Sequence, residues 1–119
     1  MLFDNSDVEI WFDSDEAALE YINNSLKEIK AIYKIYFPKA KTDLRKVKLN
    51  YSEMILQIKQ AMLSHNWVSI TEADTLKKLF IIETRLIMLN NFYKYDYTFN
   101  KDGIGTVTLK GNRFVRERS

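Results

Sequence analysis

The side chains whose types and spacing suggest a chemical role are mostly basic. Eight of them lie within 22 residues: Lys27, Lys30, Lys34, Lys39, Lys41, Arg45, Lys46 and Lys48. The first three recur at intervals of three and four, which places them along one side of a helix. Clustered lysines and arginines are typical of proteins that contact phosphate backbones, so this basic stretch (residues 27–48) supports nucleic-acid binding as one hypothesis. The competing interpretation is an ordinary solvated helix surface.

Groups suited to catalysis are scarce. The chain has no cysteine, and its one histidine, His65, lies beside Asn66 and Trp67 in a segment that resembles a turn. No serine occurs in a nucleophile-elbow pattern, and the three glycines form no phosphate-binding fingerprint. The four aspartates between residues 4 and 15 do not follow the spacing of a calcium loop. The sequence therefore predicts a protein that is not an enzyme and has neither a cofactor nor a metal site.

A second candidate site lies near the N-terminus. Residues 1–20 carry seven acidic and no basic side chains, whereas residues 21–60 carry nine basic and three acidic ones. The acidic segment contains the apolar run 8–12, and large apolar residues of this kind anchor interfaces when they are exposed. If they are buried, they simply cap the core. The candidate protein-binding residues are Ile10, Trp11, Phe12, Asp13 and Asp15.

Helical periodicity predicts the three elements that would position these side chains. The first helix spans 13–37, with Asp13 as its N-cap and Pro38 beyond its end. The second spans 42–64 and repeats apolar residues at the same intervals. The third spans 70–93 and follows a capping-box pattern. Because its apolar residues surround most of its circumference, the third helix is expected to be the central one.

The apolar period changes from 3.6 to 2 after the third helix, which indicates strands. Residues 94–115 are predicted to form a β-hairpin region with a turn at Asp102-Gly103 and a third short strand at 113–115. The predicted fold class is α+β and mainly α: one domain, 1–119, in which a three-helix bundle carries an N-terminal extended arm (1–12) and a C-terminal β-hairpin.

The element order resembles that of winged-helix DNA-binding domains, with residues 95–109 in the position of the wing. The third helix departs from that pattern, because a helix that reads a DNA groove needs an exposed polar face. The arginines Arg113, Arg116 and Arg118 would assist nucleic-acid contact in this alternative.

The composition of the chain indicates the type of genome that encodes it and argues against a membrane-spanning protein. Lysine, isoleucine and asparagine are abundant and arginine is scarce, as in proteins from AT-rich bacterial, phage or mobile-element genomes. No apolar run is long enough to span a membrane, so a soluble, cytoplasmic protein is expected.

The leading functional hypothesis is a small regulator or inhibitor that forms a stoichiometric complex with another protein; the alternative is nucleic-acid binding through the basic stretch. A homo-oligomer is compatible with both, and the identity of the partner stays open.

Overall fold

The chain folds into three helices followed by two strands. The computed structural model describes residue 12, residues 14–65 and 68–90, and the backbone of residues 95–100 and 103–109. These residues form α1 (Asp15–Tyr36), α2 (Leu44–Leu63), α3 (Ile70–Met88), β1 (Tyr95–Asn100) and β2 (Gly103–Leu109). The predicted three-helix bundle is confirmed. The predicted arm before Phe12 and the third strand at 113–115 lie outside the described residues, so the full α+β arrangement stays a prediction.

Side-chain caps define where the helices begin. Ser14 caps α1, where the sequence had suggested Asp13, because the Ser14 hydroxyl accepts a hydrogen bond from the first turn of the helix. Asp43 caps α2 in the same way. The capping box predicted for α3 is present, with reciprocal hydrogen bonds between Ser69 and Glu72. Each cap satisfies main-chain N–H groups that a helix leaves without partners at its start.

The apolar faces of α1 and α2 supply most of the core. On α2, apolar residues that recur at intervals of three and four are buried: Leu44, Val47, Tyr51, Met54, Ile55, Ile58 and Met62. On α1, Ala18, Ile22, Leu26 and Ile29 follow the same period and are buried as well, and Ser25 and Ile32 join them. Tyr33 and Tyr36 lie at the edge of the core, where their hydroxyl groups reach polar partners.

The expectation that α3 is the central helix is wrong. Within α3 only Leu79, Ile82 and Leu86 are buried, whereas Ile70 is 84% exposed and Ile87 40% exposed. The closest helix pair is α1 and α2, so α3 packs against them with one stripe of its surface. Although α3 has apolar residues around most of its circumference, it is not buried on several sides. Among the residues that the structure describes, no helix combines the length and the hydropathy needed to cross a membrane.

The two strands form an antiparallel ladder. Tyr95 lies opposite Leu109, and Asn100 lies opposite Gly103. The register shifts after Thr98, so that Gly105 has no direct partner in the opposite strand. Such a β-bulge bends a strand locally, and glycine is often found at such a position. The backbone of β2 runs closest to α1.

Candidate functional site

A groove between α1 and α3 is the candidate functional site. Its volume is about 560 Å³, and it is lined from α1 by Tyr21, Asn24, Ser25 and Glu28 and from α3 by Asp74, Lys77, Lys78, Ile81, Ile82 and Arg85. On both helices the lining residues recur at intervals of three and four, so each helix presents one continuous face. Contacts between the helices pair the end of α1 with the start of α3, at Tyr36 and Glu72, and the start of α1 with the end of α3, at Tyr21 and Arg85, so the two helices are antiparallel.

One carboxylate fixes α3 against the end of α1. The Tyr36 hydroxyl donates a hydrogen bond of 2.8 Å to one oxygen of Glu72. The other oxygen of Glu72 accepts the main-chain N–H of Ser69 at 3.2 Å. Burial, together with this hydrogen bond, raises the pKa of Tyr36 to about 12. The same hydrogen bond is the largest cause that lowers the pKa of Glu72.

Two further contacts cross between the helices along the groove. The Lys78 ammonium lies 3.4 Å from a carboxylate oxygen of Glu28. The Arg85 guanidinium carbon lies 5.9 Å from the centre of the Tyr21 ring, within the range of a cation–π interaction. Each of these contacts involves at least one charged side chain. Charged groups therefore connect α1 and α3 at the rim of the groove, and the space between the helices stays open.

The floor of the groove combines a small residue with two isoleucines. Ser25 occupies a position on the buried face of α1 and is only 5% exposed. Ile82 is buried beside it, and Ile81 is partly exposed. Because a serine takes much less space than the leucine or isoleucine found at neighbouring core positions, it leaves room above the floor. The result is an apolar floor with acidic and basic groups at the rim.

The described residues that line the groove include no histidine and no cysteine. Across the described residues there is no group of three or more histidine, cysteine or acidic side chains that could hold a metal ion. The one histidine, His65, is exposed after the end of α2 and is not among the groove residues. The geometry suits non-covalent binding of a ligand with apolar side chains and polar ends.

The N-terminal candidate residues fall partly within the described region. Phe12 is 7% exposed, and its ring centre lies 5.7 Å from that of Tyr21. Phe12 therefore packs in the core, and its side chain is not available as an exposed anchor. Asp15 is the first residue of α1 and is partly buried. Ile10, Trp11 and Asp13 lie outside the described residues.

Most of the basic stretch faces solvent. Six of its members are exposed, namely Lys27, Lys34, Lys39, Lys41, Arg45 and Lys46, and Lys30 is partly exposed. A guanidinium nitrogen of Arg45 lies 2.9 Å from an oxygen of Asp43. This hydrogen bond is the main cause that raises the pKa of Arg45 and lowers the pKa of Asp43.

Lys48 does not share this exposed surface. It is 8% exposed, and its ammonium group donates a hydrogen bond of 3.2 Å to the side-chain oxygen of Asn90. The ammonium nitrogen also lies 5.7 Å from the centre of the Tyr51 ring. Burial lowers the pKa of Lys48. The helical period contained the signal for this burial, because Lys48 lies four residues after Leu44 and three before Tyr51.

Sequence patterns did not identify the groove. The signal available was Ser25, a small polar residue within the apolar face of α1, but serine is also common on helix surfaces. Comparisons of the chain with protein-family models, with curated proteins and with solved structures found no match.

Proposed function

We propose that this protein is a non-enzymatic regulator or inhibitor that binds another protein stoichiometrically through the groove between α1 and α3. The single observation that carries the proposal is the groove's composition. Ser25, Ile81 and Ile82 offer an apolar floor, while acidic and basic side chains line the rim. An amphipathic segment of a partner fits this arrangement, with its apolar side chains on the floor and its polar groups against the rim.

The dimensions of the groove limit the length of the segment. Tyr21 and Glu28 are seven residues apart on α1, which corresponds to ~10 Å along a helix axis. Asp74 and Arg85 are eleven residues apart on α3, which corresponds to ~16 Å. A guest helix of two to three turns, or an extended strand of three to five residues, matches these lengths. The volume also lies within the range of about 300–1,000 Å³ that is typical of ligand pockets.

The side chains at one end of the groove are suited to an interface. Tyrosine and arginine are enriched among the residues that contribute most to binding energy. Tyr21 and Arg85 contact each other across the groove, and Tyr21 also packs against buried Phe12. These contacts hold the two side chains before a partner arrives, which reduces the entropy lost on binding.

A random peptide library displayed on phage tests the proposal. Peptides selected on the wild-type protein should be amphipathic, and Ile81→Asp should weaken their binding at least ~30-fold, equivalent to about 2 kcal/mol, because a charge then lies on the apolar floor. Ser25→Leu should weaken binding similarly by filling the groove. Ile35→Asp is the matched control, because Ile35 is 71% exposed on α1 and does not line the groove.

Circular dichroism and chemical denaturation of each variant separate loss of binding from loss of the fold. Peptides that bind both groove variants as tightly as they bind the wild type would contradict the proposal. So would a selection that yields no amphipathic peptide from a library of high diversity.

Nucleic-acid binding is the second candidate, and the six exposed basic residues of the basic stretch favour it. Phosphate contacts release counterions, so binding of this kind weakens steeply as salt increases. Fluorescence anisotropy of labelled DNA and RNA at several salt concentrations tests it. Neutralising Lys30, Lys34 and Lys41 together should reduce both the affinity and the salt dependence. Absence of binding at low salt would exclude this candidate.

A further inference from the structure

The second half of α1 carries a row of lysines along one side. Lys27, Lys30 and Lys34 recur at intervals of three and four, so their directions around the helix axis agree to within ~60°. Lys27 and Lys34 are exposed, and Lys30 is partly exposed. None of the three lines the groove between α1 and α3. The row therefore offers a positively charged surface that is separate from the groove.

Two aromatic residues lie beside this row of lysines. Tyr33 lies three residues after Lys30, and Phe37 lies three residues after Lys34. Residues three apart are neighbours on a helix surface, so each aromatic residue has a lysine beside it. The two ring centres are 4.6 Å apart with 30° between the ring planes, a separation at which aromatic rings attract each other. Both residues are partly exposed, so aromatic and cationic side chains share one side of α1.

Hydrogen bonds fix the position of the aromatic pair. The Tyr33 hydroxyl donates to the side chain of Gln57 at 2.6 Å. The main-chain N–H of Phe37 donates to the Tyr33 carbonyl at 2.9 Å, and the Phe37 carbonyl accepts the N–H of Ala40 at 3.0 Å. Pro38 restricts the backbone of Phe37 further. The pair is therefore ordered before a ligand arrives, which reduces the entropy lost on binding.

The carboxylates nearest to these lysines in the sequence are engaged elsewhere. The chain has no acidic residue between Glu28 and Asp43. A carboxylate oxygen of Glu28 lies 3.4 Å from the Lys78 ammonium on α3, and Asp43 caps α2 and pairs with Arg45. The segment between the two acidic residues contains four lysines: Lys30, Lys34, Lys39 and Lys41. This excess of positive charge attracts polyanions.

The combination of rings and lysines favours one kind of polyanion. Lysines alone contact the phosphates of any nucleic acid, and charge by itself favours the duplex, which has the higher charge density. Aromatic rings add binding energy where a base is free to stack on them. In a duplex the bases already stack on each other, whereas in a single strand they can be splayed out onto a protein surface. The aromatic pair therefore favours a single strand.

We propose that the lysine–aromatic face of α1, formed by Lys27, Lys30, Tyr33, Lys34 and Phe37, binds single-stranded nucleic acid. A base stacks on the face of the Phe37 ring that is turned away from Tyr33, and the lysines contact the phosphates beside that base. The proposal rests on the nucleic-acid candidate given above and names its ligand and its aromatic contact. It does not depend on the groove.

Fluorescence anisotropy of a labelled oligothymidylate of ~12 nucleotides, compared with a duplex of equal length, tests the preference. The single strand should bind at least ~5-fold more tightly at the same salt concentration. Phe37→Leu, which removes the ring but keeps an apolar side chain, should weaken binding of the single strand ~10-fold. Phe37→Tyr, which keeps the ring, should bind like the wild type. Phe80→Leu is the matched control, because Phe80 is partly exposed on α3.

The salt dependence separates the lysines from the ring. Each phosphate contact to a single strand contributes ~0.7 to the slope of log affinity against log salt. Lys30→Gln and Lys34→Gln together should therefore reduce this slope by about 1.4, whereas Phe37→Leu should leave the slope unchanged. Lys59→Gln and Lys77→Gln together remove the same charge outside the basic stretch and should leave the slope near that of the wild type.

The possible failures distinguish this proposal from the broader nucleic-acid candidate. Absence of binding to both oligonucleotides at low salt would overturn the two together. Equal or tighter binding of the duplex would overturn only the proposal for a single strand, because lysines alone account for it. So would a Phe37→Leu protein that binds as tightly as the wild type. Circular dichroism of each variant shows whether a loss of binding reflects a loss of the fold.

Discussion

Replacing Tyr36 with phenylalanine removes the hydrogen bond that holds the start of α3 against the end of α1. The Tyr36 hydroxyl donates to Glu72 at 2.8 Å, and both side chains are partly exposed. Hydrogen bonds to charged groups contribute about 1.5–3 kcal/mol when shielded from water. Because water reaches this pair, we expect Tyr36→Phe to lower the free energy of unfolding by only about 1 kcal/mol at neutral pH.

The effect of Tyr36→Phe should depend on pH in a defined direction. The folded protein holds the pKa of Tyr36 at about 12, above its ordinary value of 10.0. A group with a raised pKa contributes its full stabilisation below its unfolded pKa and loses it as the pH rises through the folded value. The difference in stability between wild type and Tyr36→Phe should therefore shrink between pH 10 and about pH 12.

The size of this loss of stability at alkaline pH follows from the raised pKa of Tyr36. A difference of two between folded and unfolded pKa values would correspond to about 2.7 kcal/mol for a shielded group, and solvent exposure reduces it to about 1 kcal/mol. Urea denaturation of both proteins at a series of pH values measures it. Tyr33→Phe is the matched control, because the Tyr33 hydroxyl donates to the uncharged side chain of Gln57 at 2.6 Å. Equal stability of wild type and Tyr36→Phe at neutral pH, or a gap that widens at alkaline pH, would refute the reasoning.

Three further substitutions test the buried charge of α2 and the N-terminal caps of α1 and α3. Lys48→Met should leave stability unchanged or raise it by about 1 kcal/mol at neutral pH, because it removes a buried charge. Since burial lowers the pKa of Lys48, the wild type should regain stability relative to this variant as the pH rises toward ~10.4; an opposite trend in pH-dependent denaturation would contradict this. Ser69→Ala should cost about 1 kcal/mol and more than Ser14→Ala, because the Ser69 hydroxyl belongs to a capping box in which the Glu72 carboxylate also accepts the Ser69 main-chain N–H. Thermal denaturation of the two serine variants checks that order, and equal losses would contradict it.

Local signals in the sequence predicted the elements of the bundle well. The buried positions of α2 followed from the 3.6-residue period, because its buried apolar residues recur at intervals of three and four along one face. The capping box at Ser69 and Glu72 was also predictable, since its two hydrogen bonds involve residues three apart. Asp13 was predicted as a cap in place of Ser14 because both residue types cap helices and they are adjacent in the chain.

Features that depend on how helices meet were not predictable in the same way. α3 has apolar residues on most sides, but which of them is buried depends on where α1 and α2 lie. The groove depends on Ser25 of α1 facing the isoleucines of α3, and the two segments are more than fifty residues apart in the chain. Lys48 shows a related limit: its place in the period indicated burial, but its partner Asn90 lies 42 residues away. Such pairings depend on tertiary packing, which local periodicity does not specify.

The central claim is that the groove between α1 and α3 binds a protein segment. Its most direct test is a map of backbone amide chemical shifts in the isotope-labelled protein, titrated with a peptide selected on the wild type. If the groove is the binding site, the largest changes occur on α1 between Tyr21 and Glu28 and on α3 between Asp74 and Arg85. The claim would be contradicted if the changes were confined to the basic stretch or to the outer face of α2, with the groove residues unaffected at saturation.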